Sequence, residues 1–168
     1  MTSSLAALAL GTPGQAPLPL NLTQVQATGI TTLRTYVTFC QTNAKPEYVV
    51  DCLAERFDVA ANAMGNYGDT ADIYRALKAA AQDLAAVSRK YASPTMQPLM
   101  LHSQIFTTTR PIRPVAPANL PPSNAAATEV LEEAELTLLR SSTRSPNVLA
   151  FSQVAEIVGS AKVLLRAG

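Results

Sequence analysis

The sequence predicts an all-α fold, an up-down helical bundle of about five helices with a long Pro-rich extended arm between helices 3 and 4. Three observations carry this. Apolar residues recur at steps of three and four along five segments, the period of one helical face. Twelve prolines against seven glycines, with no tryptophan, suit helices joined by stiff connections rather than a sandwich full of glycine turns. Residues 92–124 hold seven of the prolines and break the helical period.

In the first helix, from residue 22 to about 41, Ile30, Leu33, Val37 and Cys40 share one face. Gly29 and the β-branched residues Thr28, Thr31, Thr32, Thr35 and Thr38 oppose it, so it is the element least secured by propensity. Asn43, Ala44 and Lys45 break the period. Pro46 opens the second helix at a position where a missing N–H costs nothing. Val50, Leu53, Phe57, Ala60 and Met64 form its inner stripe, with Glu47, Asp51, Glu55 and Asp58 expected in water. Gly65, Asn66 and Gly68 end it.

Asp69 or Thr70 is placed to cap the third helix, whose seam is Ile73, Leu77, Ala80, Leu84, Val87 and Tyr91. Ser93 and Pro94 stop it. The arm follows, with Leu99, Met100, Leu101, Ile105 and Phe106 too apolar for a purely disordered connection. Ser123 or Asn124 is expected to cap the fourth helix, with Ala127, Leu131, Ala134 and Leu138 inside. Pro146 opens the fifth, with Ala150, Val154, Ile157, Ala161 and Leu164 inside. The phrases TLLRSS and KVLLRAG place Arg140 and Arg166 near two helix ends, where a cation complements the helix dipole.

The two cysteines, Cys40 and Cys52, are predicted to form a disulfide, which implies an oxidising compartment, periplasmic or extracellular. If the hairpin turns tightly after Cys40, the residue facing it is near Glu47. Cys52 would then lie about 7.5 Å further along, and Cys40 must leave its helix to reach it.

The 168-residue chain reads as one helical domain over residues 22–168, preceded by an apolar, uncharged stretch over residues 1–21. No charge precedes Arg34. Residues 5–11 resemble the apolar core of a secretory signal without its basic start, so the stretch reads as a signal remnant or an apolar arm. It is too short to span a bilayer, and no membrane span is expected elsewhere.

Charged residues make up only 15% of the chain against about 25% in typical domains, and the net charge is +1. This balance excludes nucleic-acid binding by bulk electrostatics and implies that something else covers part of the surface. No constellation for catalysis is legible. His102 is the single histidine, Glu129, Glu132, Glu133 and Glu135 lack the histidines of a di-iron bundle, and GNYG at 65–68 lacks a phosphate-binding lysine.

No enzyme activity, cofactor or metal is therefore expected. The chain reads as an exported helical protein that binds a protein partner, or assembles with itself, through its apolar arms. The contact residues expected are Leu99, Leu101, Ile105, Phe106, Arg110 and Arg113. The alternatives are a structural subunit of a larger phage-like particle and a helical bundle that holds an apolar small molecule.

Overall fold

A computed structural model describes residues 22–166, so the expectation for residues 1–21 lies outside the described residues. The helices are α1 (Leu22–Asn43), α2 (Val49–Met64), α3 (Ala71–Lys90), α4 (Leu120–Ser142) and α5 (Val148–Arg166). Short 3-10 turns at Pro46–Tyr48, Gly68–Thr70 and Pro117–Asn119 lead into α2, α3 and α4. Each helix packs on the next, α3 on α4 after the long connection, and α5 returns to α1 to close the bundle. Helical periodicity thus buries one stripe on each helix except α2, which is buried all round from Val49 to Phe57. Leu33, Val37, Leu53, Phe57, Leu77, Leu84, Leu131, Leu138, Val154 and Ile157 fill a single core.

The β-branched α1 is helical despite its propensity. Its outward threonines return their hydroxyl protons to the preceding turn: Thr31 to the Ala27 carbonyl at 3.0 Å, Thr35 to Thr31 at 3.0 Å and Thr38 to Arg34 at 3.2 Å. Ile30, Leu33, Val37 and Cys40 are buried on the opposite face. Gly29 permits a close approach, since a Cβ there would stand 2.9 Å from the Met64 Cγ at the end of α2.

Cys40 and Cys52 form the disulfide, with Cα atoms 5.8 Å apart and both side chains fully buried. The route differs from the expectation: α1 continues to Asn43, so Cys40 stays helical. The turn and the 3-10 segment lengthen the hairpin until Pro46, midway between the cysteines, is its apex. Cys40 and Cys52 then face each other as a simple rung.

Three caps differ as well. Thr70 donates to the carbonyls of Tyr67 at 2.8 Å and Gly65 at 3.0 Å, which ties the α2–α3 turn rather than capping α3. Gly65, at φ +80°, is the left-handed residue that ends α2. Helix α4 starts at Leu120, because Pro121 and Pro122 occupy its first turn, where no N–H partner is needed, so Ser123 and Asn124 lie inside it. Pro146 precedes α5, which begins at Val148.

The connection between α3 and α4 is correspondingly shorter than expected, residues 91–116, and it is folded rather than extended. It doubles back as an irregular two-stranded ribbon with antiparallel bridges Ala92 to Val115, Leu99 to Ile112 and His102 to Thr107. Helix α5, where no membrane span is expected from the sequence, is long and apolar enough to cross a membrane by length and composition. Here its inner face, Phe151, Val154, Val158 and Ala161 among it, is buried in the bundle.

Candidate functional site

The ribbon lies along α2, and three acceptors hold it, one in the 3-10 turn that leads into the helix and two on the helix itself. The Glu47 carbonyl accepts the Val115 N–H at 2.8 Å, the Asp51 carboxylate accepts the Arg113 N–H at 2.7 Å, and Glu55 Oε1 accepts the Thr109 N–H at 2.9 Å. Positions 51 and 55 are four residues apart, so their carboxylates stand about 6 Å apart along one face of α2, with the Glu47 carbonyl just before the helix start. Between the bridges at Leu99–Ile112 and His102–Thr107 the returning strand has two residues more than its partner. That bulge, residues 108–111, brings Thr109 onto α2, and Arg113 follows just after the Ile112 bridge.

Asp51 and Glu55 are therefore buried, not in water as the spacing suggested, because the ribbon covers the face that carries them. Each is saturated. Asp51 accepts from Ser88 Oγ at 3.0 Å, from Arg110 Nη1 at 2.6 Å and Nη2 at 3.1 Å, and from the Arg113 amide. Glu55 also accepts the Thr109 hydroxyl at 2.8 Å and pairs with the buried Arg56 guanidinium. Buried carboxylates at this cost persist when their lone pairs are matched. The hydrogen bond to Asp51 holds the Arg110 guanidinium above its ordinary value, against the desolvation that would lower it.

An aromatic cradle sits at the far end. The Arg56 guanidinium lies 4.6 Å from the centre of the Tyr36 ring and 5.6 Å from that of Phe39. Phe106 meets the same two rings edge-on, at 5.2 and 6.4 Å between centroids. Near the root, the Tyr48 hydroxyl donates to the Gln97 carbonyl at 2.8 Å. Burial, and secondarily the charge of Glu47, push this phenol above its usual value. Leu101, Ile112 and Val115 fill the space beneath.

The expected contact residues thus divide. Leu101 is buried, Phe106 is half-buried in the cradle, and Arg110 and Arg113 are engaged with Asp51 and Ser88. Leu99 and Ile105 remain outside, 45% and 79% exposed, with Ile105 at the ribbon's tip. Tyr36, Phe39, Asp51, Glu55, Arg56 and Ser88 were not anticipated. One signal for the acids was available: VVDCLAERF sets Asp51 and Glu55 among apolar neighbours, in a chain whose otherwise apolar arm carries two arginines.

Other features are distributed rather than convergent. His102 Nδ1 lies 3.1 Å from Thr107 Oγ1 on the exposed face of the ribbon. Glu129, Glu132 and Glu133 face water, while Glu135 pairs with Lys162 at 2.7 Å. Asn124 donates to the Leu165 carbonyl at 3.0 Å, so α4 and α5 run antiparallel and Arg140 and Arg166 stand at opposite ends of the bundle. Among the described residues, no group of three or more His, Cys, Asp or Glu side chains is placed to hold a metal. A groove of about 150 Å³ opens beside the tip, between Thr35, Thr38 and Phe39 of α1 and Ser103, Ile105 and Phe106 of the ribbon. Comparison of the chain with protein-family models, with curated protein sequences and with solved structures finds no match.

Proposed function

We propose that this is a non-catalytic helical protein of an oxidising compartment, periplasmic or extracellular, that binds another protein through the ribbon. The observation that carries the reading is Ile105: a large aliphatic side chain, 79% exposed, at the tip of a ribbon whose root is bonded to two buried carboxylates. A rigid scaffold that presents an apolar residue to solvent lowers the ordering cost of binding. The disulfide supports the compartment, since such bonds persist where thiols are not kept reduced. The alanine-lined cleft between α3 and α4 offers about 70 Å³, well under the ~300 Å³ of an ordinary ligand pocket, so that cleft is a poor seat for an apolar small molecule.

The test is a photoreactive benzophenone side chain at position 105, with one at Glu129 as control, in the protein's own host. A discrete adduct from position 105 alone is expected, in the exported fraction. No adduct beyond the control sinks the reading, and a regular ladder of the chain's own multiples moves it to a subunit of a particle.

A further inference from the structure

We infer that the partner engages the ribbon as an extended, uncharged polypeptide segment, added as a further strand on the open edge of residues 97–103. This rests on the protein-binding reading above and specifies its mode. The ribbon's two edges differ. The edge formed by residues 109–115 is closed by α2 and the 3-10 turn before it, which take the amides of Arg113 and Thr109 and of Val115 respectively. On the other strand, Leu99 exchanges both main-chain bonds with Ile112, at 3.0 and 2.7 Å. The Leu101 carbonyl accepts the Thr108 N–H at 3.0 Å, and the Leu101 N–H donates to Thr108 Oγ1 at 3.1 Å. Ser103 donates to the Phe106 carbonyl at 2.7 Å.

Successive residues of a strand alternate in direction, so Met100 and His102 turn their N–H and C=O groups outward. Among the described residues, no hydrogen bond uses those groups. Donors and acceptors two residues apart along an extended edge are the template that another main chain fits.

The chemistry of the edge narrows the occupant. Edge strands are commonly blunted by lysines or other charges, and residues 97–108 carry none. Only Pro98 at one end and the turn from Ser103 to Phe106 at the other limit it. Leu99 and Met100 are exposed beside the open groups, so a charged strand would be desolvated without a partner. The groove beside Ile105 begins one residue beyond His102, at Ser103, and its apolar wall of Phe39, Ile105 and Phe106 suits one large aliphatic or aromatic side chain of the incoming strand.

The experiment pans a displayed peptide library against the immobilised full chain and measures binding of enriched peptides by fluorescence anisotropy. Uncharged peptides with one large apolar residue are expected. Met100→Pro and His102→Pro each delete an edge N–H that the fold does not use. Each should weaken binding at least about tenfold, the cost of one orphaned acceptor, with the urea midpoint held. Ile105→Ser should weaken it too.

Should a proline variant lose its fold, amide exchange in the native chain decides instead: the Met100 and His102 amides should slow on peptide addition. Strand addition is overturned by unchanged exchange there, by equal affinity in folded proline variants, by enrichment of charged peptides or by no enrichment at all. If position 105 still crosslinks a partner in the host, only the strand mode falls; if it does not, the protein-binding reading falls with it.

Discussion

The carboxylate of Asp51 accepts the main-chain N–H of Arg113 at 2.7 Å across sixty-two positions of sequence. The same oxygen takes Arg110 Nη1 at 2.6 Å, so a single helical side chain fixes both the path of the ribbon and one of its arginines. The ribbon is held both by polar bonds to a buried acid and by apolar packing of Leu101 and Ile112 beneath it.

Removing that acid should therefore cost more than removing the arginine. Asp51→Ala leaves the Arg113 amide, Ser88 and Arg110 without their shared acceptor, and we expect a loss of about 2–4 kcal/mol in urea denaturation. Arg110 is 41% exposed on its side chain but is the cation paired with a fully buried carboxylate, so Arg110→Ala should cost about 1–3 kcal/mol, less than loss of the acid because Ser88 and the Arg113 amide still bond Asp51. Equal losses from both substitutions would contradict this ordering.

The contrast between these two residues also marks what the sequence could disclose. Apolar stripes at steps of three and four are set by a single helix, so Leu33, Leu53, Leu77, Leu131 and Val154 were legible as core one segment at a time. Asp51 was not, because the rule that acids stay in water presumes that nothing polar covers them. Only the return of residues 107–115, fixed by long-range pairing, decides otherwise. The hairpin apex at Pro46 was missed for a similar reason. Where a turn ends depends on how α1 packs against α2, not on the local break in period.

The disulfide closes a short loop, with a sequence separation of 12 between the cysteines. Replacing both Cys40 and Cys52 by Ala should lower stability by about 3 kcal/mol on the chain-entropy account. Both cysteine side chains are fully buried, so reductant should leave the bond intact in the native protein and cleave it once denaturant opens the bundle. Alkylation with a mass tag, run with and without urea, checks both halves. Rapid labelling under native conditions would refute the burial argument.

At Gly29 two effects oppose each other. Alanine gains about 1 kcal/mol of helix propensity, but its Cβ would meet the fully packed Met64 side chain at 2.9 Å, and overpacking costs about 1–3 kcal/mol. Met64 is buried, so its side chain must repack within the core to clear the new Cβ, and Gly29→Ala should destabilise the protein. Paired with Met64→Ala, the same substitution should become favourable. A double-mutant cycle with no coupling between the two positions would remove this account of the glycine.

Stability should fall on the alkaline side. The Tyr48 phenol is raised above its ordinary 10.0, first by burial and then by Glu47, and Lys78 is raised above 10.5, first by its hydrogen bond to Asp58. In each case the folded state keeps a proton that the unfolded chain has lost. Stability is therefore fully present below the unfolded value and declines as pH rises through the folded one. A urea midpoint that is flat to about pH 9 and drops above pH 10 is expected. Tyr48→Phe should lower the plateau slightly, through loss of the bond to Gln97, and make the drop shallower. An unchanged alkaline limb in that variant would assign the decline elsewhere.

Root and tip of the ribbon should separate stability from binding. Phe106 is half-buried and touches both Tyr36 and Phe39, so Phe106→Ala should cost about 2 kcal/mol and loosen the ribbon, visible as faster amide exchange at Thr108 and Ser103. Ile105, one residue earlier, contributes almost nothing to the fold because 79% of it already faces water. Ile105→Ser should leave the urea midpoint within about 0.5 kcal/mol of the native chain while abolishing the crosslink to a partner. Were Ile105→Ser instead to destabilise the protein as much as Phe106→Ala, the tip would belong to the core. Its exposure would then carry no argument for binding.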